Sequence, residues 1–351
     1  MCLGLVGRGE ADLLGRRRVT DMSAMRVSIA MATFNGAAYV REQLDSFVAQ
    51  TVLPDELVIS DDRSDDDTLQ IIERFAETAP FRVQWLRNDT TLGYAGNFSR
   101  ALSMASGDIV FISDQDDVWF PEKIARITDV FREDPRALVV MNDAEFTDAH
   151  LARTGVTKLQ QIRAAGLPDA HFVMGCCVAV RRDFLTTILP VPSTCRSHDD
   201  WVVAIARPLH ACRVIPIALQ FYRRHGGNVS AGHVSGPSKV TPFKTWWVRW
   251  STAISNAVRG RDLELRDDEM LAYLHLLQNH RKELCELSDE ERVRSFQEEC
   301  ENRLAVIRSR LAIRSTGHLA RVRGIWQLWR RGGYAATTGL ASMLKDLLVS
   351  Q

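Results

Sequence analysis

The chain has 351 residues, of which 46% are hydrophobic and 25% charged, as in a soluble globular protein with one large domain and an appendage, or two domains. Lys and Arg together number 44, as do Asp and Glu, so no overall positive field favours nucleic-acid binding. The seven cysteines show no CxxC or CxxH spacing, which favours free thiols in a reducing compartment over a disulfide framework or a zinc site.

The first 24 residues do not match the pattern that follows. Their apolar start is too short for a signal-peptide core, and Arg16, Arg17 and Arg18 interrupt what comes next. We interpret residues 1–24 as a disordered or non-native extension, with Met22 or Met25 as the functional start. No apolar run in the chain approaches the roughly 20 residues of a membrane-spanning helix.

Strand and helix patterns alternate from residue 26 to about residue 131. Apolar, β-branched runs predict strands at residues 27–31, 56–60, 82–86 and 108–113. Between them apolar residues recur at helical spacing, as at Val40, Leu44 and Phe47, and Pro121 opens a further helix. Strict alternation with short connections predicts an α/β fold, a mainly parallel sheet covered by helices on both faces.

The alternation of strand and helix patterns is lost after about residue 131. The sequence predicts a buried strand at residues 175–180, a helix from Asp183, a helix at 199–206 and an extended segment at 214–217. A basic run with glycines, residues 222–228, closes the region. Such a change is expected where an acceptor-binding surface replaces regular sheet.

The last third of the chain has a different character. A long helical stretch runs to about residue 314, and a capping box near Ser288 predicts two antiparallel helices joined there. Tryptophans alternate with arginines on both sides of it, at Trp246, Trp247, Trp250, Trp326 and Trp329. They either bury the helices against the rest of the protein or rest on an anionic membrane surface.

Carboxylates follow two of the predicted strands. Asp61 and Asp62 end the second strand, and Asp114, Asp116 and Asp117 follow the fourth. In parallel sheets ligands bind beyond the carboxyl ends of the strands, and crowded carboxylates need a cation, a donor or a substrate. The pattern therefore predicts a metal-assisted site that handles phosphates. The alternative is that these side chains cap helices or are solvated in loops.

Other sites that acidic or phosphate-binding motifs suggest are less well supported. A phosphatase nucleophile is expected after the first strand, which here ends in Thr33-Phe34-Asn35. Residues 62–73 mimic a calcium loop, but Asp67 stands where that loop needs glycine. The chain has no GxxxxGK[ST] loop, and no GxGxxG motif follows the first strand, so a cation and basic side chains must offset phosphate charge.

A second acidic cluster, His198-Asp199-Asp200-Trp201, suits a general base at a helix start. The alternative is a helix cap beside an aromatic core residue.

These segments together resemble family 2 glycosyltransferases, which have the GT-A nucleotide-sugar-binding fold. The resemblance rests on residues 28–35, 59–64 and 113–117 and covers about residues 26–232. Residues 114–123, 198–201 and 222–230 further resemble bacterial rhamnosyltransferases of cell-surface polysaccharide synthesis. The resemblance implies a catalytic domain at residues 25–235 and a C-terminal helical, Trp/Arg-rich extension at 236–351.

The resemblance also implies roles for individual residues. Asp116 would hold Mg²⁺ or Mn²⁺ against the donor diphosphate, and Asp199 would be the general base, with Asp200 as the neighbouring alternative. The donor side would comprise Thr33, Asn35, Asp61, Asp62, Asp114, Arg224 and His225. His198, where family members often carry Glu, and Trp201 would lie on the acceptor side.

The expected activity is metal-assisted, inverting sugar transfer from a nucleotide sugar to a glycan or lipid-linked glycan, with L-rhamnose from dTDP-rhamnose as the best single donor. Alternatives are transfer of galactose, glucose or an N-acetylhexosamine, or an inactive scaffold subunit of the assembly complex. A nucleotidyltransferase would need a Gly-rich basic loop after the first strand, which is missing. The expected location is the cytoplasm, with peripheral contact at the inner face of the plasma membrane.

Overall fold

A computed structural model describes residues 25–195, 197–226, 262–335 and 339–348. The predicted extension at 1–24, the domain boundary after residue 235, and Trp246, Trp247 and Trp250 lie outside the described residues. Cysteines within the described ranges are free thiols. No helix in these ranges is both long and apolar enough to cross a membrane.

The first half of the domain confirms the alternating pattern. Its strands are β1 (Val27–Thr33), β2 (Glu56–Asp61), β3 (Arg82–Arg87), β4 (Ile109–Ser113) and the short β5 (Val118–Trp119). Its helices are α1 (Val40–Val48), α2 (Thr68–Ala76), α3 (Gly93–Met104) and α4 (Lys123–Glu133). Strands β1 to β4 pair in parallel.

The second half contains more sheet than the sequence predicts. Its strands are β6 (Val139–Thr147), β7 (Arg153–Thr157), β8 (Val178–Arg181) and β9 (Cys212–Arg223). Its helices are α5 (Lys158–Ala164), α6 (Arg182–Ile188) and α7 (His198–Ala206). The predicted strand at residues 175–180 instead begins with a 3₁₀ turn, Gly175–Cys177, where Gly175 lies so close to α7 that a Cβ would be 3.0 Å from His198 Nε2.

One mixed sheet joins both halves. Its strand order is β3-β2-β1-β4-β8-β6-β9-β5, and β7 pairs with β6. Strand β8 runs antiparallel to β4 and β6, whereas β6 and β9 are parallel. This is the GT-A type of α/β fold that the sequence predicts.

Each face of the sheet carries its own apolar core. Ile29 and Met31 of β1 pack towards α1, α2 and α4, whereas Ala30 and Ala32 point to the opposite face, towards α3, α6 and α7. Successive strand residues alternate between faces, so a single buried strand supplies both cores.

The C-terminal region is helical as predicted. It contains α8 (Asp262–Asn279), α9 (Arg281–Leu287), α10 (Glu290–Arg314), α11 (His318–Arg330) and α12 (Leu340–Leu348). Helix α10 packs antiparallel on α8, since Arg308 binds Asp267 at 3.1 Å while the ring centroids of Phe296 and Tyr273 lie 5.9 Å apart. The Asp289 side chain caps α10 by accepting from the Arg292 N–H. The predicted break therefore lies at residues 288–289.

Candidate active site

A cavity of about 860 Å³ opens at the carboxyl ends of β1 and β4. Seven of the predicted site residues line it: Thr33, Asn35, Asp62, Asp114, Asp116, Asp199 and His225. Five others do not: Asp61, His198, Asp200, Trp201 and Arg224. The topology therefore brings most of the predicted donor, metal and base residues to one cavity.

The two aspartates after β2 have different surroundings. Asp61 is fully buried and accepts hydrogen bonds from Thr33 Oγ1 at 2.9 Å and from Ser64 Oγ at 2.5 Å. Asp62 lines the cavity and accepts from the backbone N–H groups of Leu92 at 2.7 Å and Gly93 at 2.9 Å, at the start of α3. Asp61 thus fixes the loop, and Asp62 forms part of the cavity wall.

Gln115 holds the loop after β1 in place. Its side chain accepts from the Phe34 N–H and donates to the Phe34 carbonyl, both at 2.9 Å. Gly36 leaves the room this requires, because a Cβ there would lie 2.2 Å from Gln115 Oε1. The neighbouring Asn35 accepts from the Asp65 N–H at 2.9 Å and adopts a positive φ of 47°. Sequence reasoning passed over Gln115, although it stands inside the Asp-Gln-Asp-Asp run.

The acidic run concentrates negative charge at the cavity floor. Burial, followed by the charges of Asp116, Asp117 and Asp199, raises the pKa of Asp114 well above its usual range. Burial and the charge of Asp116 raise the pKa of Asp117 to about 7. A bound cation would relieve this repulsion.

Asp117 and Lys123 form a polar network beneath the floor. Asp117 is fully buried and accepts from Gln220 Nε2 at 2.8 Å and from the Arg223 N–H at 3.2 Å. The Lys123 ammonium, also buried, donates to Gln220 Oε1 and to the Cys176 carbonyl. Burial lowers the pKa of Lys123 to about 8. Asp117 therefore anchors β9 rather than facing the cavity.

The residues around Asp116 fit a divalent cation. Its carboxylate lines the cavity, and Oδ2 lies 2.7 Å from His225 Nε2, so a hard oxygen ligand stands beside an imidazole. A second cluster, Asp114, Asp117 and Cys176, has its ligand atoms within 4.8 Å of one another. That cluster fits Mg²⁺ less well, because Asp117 is committed to Gln220 and a thiol is a soft ligand.

The end of β9 and the two residues after it send alternate side chains to two sides of the cavity region. Arg223 donates to the Asp116 carbonyl at 2.8 Å, and His225 stacks on Tyr39 with ring centroids 4.5 Å apart. Arg224 instead lies over the Tyr222 ring, its carbon 5.7 Å from the centroid. Arg224 is therefore turned away from Asp116, unlike His225.

The two candidate bases also separate. Ser197 caps α7 by accepting from the Asp200 N–H at 3.3 Å, which fixes the first turn. In that turn Asp199 lines the cavity beside Gly175, whereas Asp200 is exposed and lies outside the wall. The geometry favours Asp199 as the proton acceptor.

The predicted acceptor-side residues lie behind the wall. Trp201 is buried, donates to the Ile188 carbonyl at 2.8 Å and stacks on Tyr273 of α8 at 5.0 Å, so it joins α7 to the C-terminal helices. His198 is fully buried against Phe98, with ring centroids 3.9 Å apart, and neither ring nitrogen has a hydrogen-bond partner among the described residues. Burial lowers the pKa of His198 to about 4. Trp201 thus packs α7 against the C-terminal helices, and its acceptor-side role stays a prediction.

Sequence reasoning missed much of the cavity wall on the side of β6 and α7. These residues are Tyr94, Phe98, Phe146, Lys158, Val173, Met174, Gly175 and Tyr222. Most are apolar or aromatic and look like ordinary core positions in the sequence. Gly175 stood in the predicted strand at 175–180, and Tyr222 in the basic segment at 222–228, but neither was predicted to line the site.

A GT-A fold with carboxylates at the strand ends is typical of transferases that bind nucleotide sugars. Residues 28–189 match the family described as Glycosyl transferase family 2. The matched segment, a little less than half of the chain, is thus similar to that family.

Relatives with similar sequences carry glycosyltransferase names. An uncharacterized glycosyltransferase of Nostoc sp. is 28% identical over 62% of this chain and 69% of its own length. The dTDP-rhamnosyl transferase RfbG of Shigella flexneri is 38% identical over 28% of this chain and 36% of its own length. The β-1,3-glucosyltransferase WfgD of Escherichia coli is 33% identical over 28% of this chain and 38% of its own length. The chain thus spans little more than a third of the two relatives whose names specify a sugar.

Two solved structures are similar over most of the chain. TarS 1-349 of S. aureus with UDP-GlcNAc has a TM-score of 0.48 and 18% identity, covering 92% of this chain and 89% of that one. The mannosyltransferase PcManGT of Pyrobaculum calidifontis, with GDP-Man and Mn²⁺, has a TM-score of 0.48 and 16% identity, covering 93% and 87%.

Proposed function

We propose that this protein transfers a sugar from a nucleotide-sugar donor to a glycan or lipid-linked glycan in bacterial cell-surface polysaccharide synthesis. The observation that carries the proposal is the single cavity lined by Asp62, Asp114, Asp116 and Asp199. The family match and the names of the relatives support the same chemistry.

The donor would occupy the side of the cavity formed by β1, β2 and β4. Thr33, Asn35 and Asp62 would face the base and ribose, and Asp114 the ribose and sugar. Asp116 and His225 would hold Mg²⁺ or Mn²⁺, and the cation would offset the charge that grows on the departing diphosphate.

Asp199 would act on the acceptor. Its carboxylate accepts the proton of an acceptor hydroxyl while that oxygen bonds to the anomeric carbon and the bond to the diphosphate breaks. Of the two adjacent aspartates of α7, only Asp199 lines the cavity, so one carboxylate from this turn is available to the acceptor. One displacement without a covalent intermediate inverts the anomeric centre. Among donors, dTDP-rhamnose is favoured by the likeness to RfbG, and WfgD makes glucose the next candidate.

The test is release of nucleoside diphosphate from a panel of nucleotide sugars, with Mg²⁺ or Mn²⁺ and then with chelator. We expect release from dTDP-rhamnose, lost with chelator and in Asp116→Ala. Release from another donor would replace the sugar and keep the mechanism. Folded protein that binds nucleotide but turns over no donor with any acceptor offered would favour the scaffold subunit.

The C-terminal helices offer a surface for peripheral contact with the inner membrane face. Leu319, Val322, Trp326 and Trp329 recur along one face of α11 and are all exposed. Arginines on the same helix would meet anionic headgroups, and such contact would bring the cavity to a lipid-linked acceptor.

A further inference from the structure

Lys158 lines the active-site cavity from the side opposite to the nucleotide-binding strands. It is the first residue of α5, and Thr157 caps that helix by accepting from the Gln160 N–H at 3.3 Å. Helix α5 follows β7, which pairs with β6, whereas β8 and β4 separate β6 from β1. The lysine is thus held by the half of the sheet that does not carry the donor carboxylates.

No hydrogen bond or ion pair joins the Lys158 ammonium to another residue of the described ranges. Phe146 and Tyr222 line the same cavity, with ring centroids 5.7 Å apart. Burial lowers the pKa of Lys158, and the nearby Arg224 guanidinium lowers it further. A half-buried lysine that lines a cavity without a carboxylate partner is stabilised when an anion binds there.

Arg224 belongs with Lys158 rather than with the metal-binding residues. Its Nη1 lies 3.5 Å from the Tyr222 hydroxyl, and its backbone N–H donates to the Thr147 carbonyl at the end of β6. Arg223 and His225, on the other side of the same segment, contact the backbone and carboxylate of Asp116. Lys158 and Tyr222 therefore line the cavity away from its carboxylates, and the Arg224 guanidinium lies directly behind Tyr222.

We propose that Lys158 and Arg224 form an anion subsite that binds a phosphate group of the acceptor. This inference rests on the proposed function, because it places the acceptor opposite the donor. A point-like ammonium and a forked guanidinium together match the oxygens of a phosphate ester. The phosphate belongs either to a lipid-linked diphosphate or to a soluble phosphorylated glycan, two sources that share this chemistry.

The test is a binding measurement by calorimetry, with glucose 1-phosphate as probe and methyl glucoside as its uncharged match. Both are titrated into protein saturated with nucleoside diphosphate and Mn²⁺. We expect wild-type protein to prefer the phosphate by about tenfold or more, as for hydrogen bonds to a charged group. Lys158→Gln should lose this preference, Lys158→Arg should retain most of it, and the control Lys282→Gln on exposed α9 should behave as wild type.

Two results would overturn the subsite. One is a wild-type protein that binds the two probes equally. The other is a Lys158→Gln variant whose nucleoside-diphosphate affinity falls as much as its affinity for glucose 1-phosphate, which would assign the lysine to the donor. Failure of wild-type protein to bind any nucleoside diphosphate would count against the proposed function instead, and the phosphate preference would still decide the subsite. With the subsite established, an alkyl glycosyl diphosphate compared with glucose 1-phosphate would distinguish a lipid-linked source from a soluble one.

Discussion

Asp199 and Asp200 are adjacent in the sequence, yet α7 turns their side chains to different surroundings. Asp199 lines the cavity, whereas Asp200 is exposed outside it. We expect Asp199→Asn to lower the transfer rate by roughly two to four decades, as loss of a general base does. Asp200→Asn is the matched control and should turn over at nearly the wild-type rate. The measurement is the initial rate of transfer at saturating donor. If Asp200→Asn were slow and Asp199→Asn active, Asp200 would be the general base instead.

Single residues also show what the sequence could and could not predict. The carboxylate runs identified the cavity because Asp62, Asp114 and Asp116 follow strands that end at one edge of the sheet. The runs could not separate Asp116 from Asp117, because only the side-chain direction and the long-range bond to Gln220 make Asp117 an anchor. The sequence around Trp201 does not predict that its ring stacks on Tyr273, which lies far along the chain in α8.

Glu56, the first residue of β2, links β1 to the segment that precedes β4, at the amino ends of these strands. Its buried carboxylate accepts from Ser28 Oγ at 2.6 Å and from the Ser106 N–H at 2.5 Å. Burial alone would raise the pKa of Glu56, but the hydrogen bonds from Ser28 and Ser106, with the charge of Arg82, hold it below its usual value. Because the folded state binds the proton more weakly, the carboxylate stabilises the fold above the unfolded-state pKa of about 4.3, and this is lost as the pH falls through the folded-state pKa.

We therefore expect Glu56→Gln to lower the free energy of unfolding by about 1–3 kcal/mol at pH 7, and by less at acidic pH. Urea unfolding of wild type and variant at pH 7 and below pH 4 measures the difference. Glu133→Gln, on exposed α4 surface, is the control. An equal deficit at both pH values would show that the charge of Glu56 contributes nothing.

The elements that the sequence did not predict have physical reasons for escaping notice. Strand β6 is buried throughout, yet Asn142, Asp143 and Glu145 follow its three apolar residues, so only its beginning has the apolar pattern of a buried strand. Two of its carboxylates are bound by neighbouring elements: Asp143 accepts from the Leu159 N–H at 3.0 Å, and Glu145 pairs with Arg153 at 2.7 Å. Asn142 Oδ1, in contrast, is buried without a hydrogen-bond partner among the described residues. Strand pairing of this kind depends on long-range partners, whereas the βα units of the first half are visible in local periodicity.

At the scale of the whole molecule, a buried charge cluster joins the last helix to the long α10. Asp346 is fully buried and binds Arg310 at 2.7 Å, Arg314 at 2.7 Å and the Tyr334 hydroxyl at 2.8 Å. Asp346→Asn would leave two buried guanidinium groups without their counter-charge, so we expect a loss of about 3–5 kcal/mol in this region. Asp267→Asn, which breaks the more exposed pair with Arg308, should cost about 1 kcal/mol or less. Protease sensitivity and urea unfolding measure the loss of stability in each variant. Equal losses in Asp346→Asn and Asp267→Asn would refute the larger contribution of Asp346.

Helix α11 has an exposed face that carries two tryptophans and arginines. Trp326 and Trp329 are 52% and 53% exposed, and the Arg330 guanidinium lies 4.8 Å from the Trp326 ring centroid, a pairing suited to an interface between headgroups and acyl chains. We expect the protein to float with vesicles that contain phosphatidylglycerol and to remain behind with pure phosphatidylcholine. The double variant Trp326→Ser, Trp329→Ser should lose most of this binding while nucleoside-diphosphate affinity is unchanged. Ile217→Ser removes a comparably exposed apolar side chain from β9 and should float as wild type does. Wild-type protein that fails to float with either vesicle would remove the membrane contact and leave the acceptor to reach the cavity from solution.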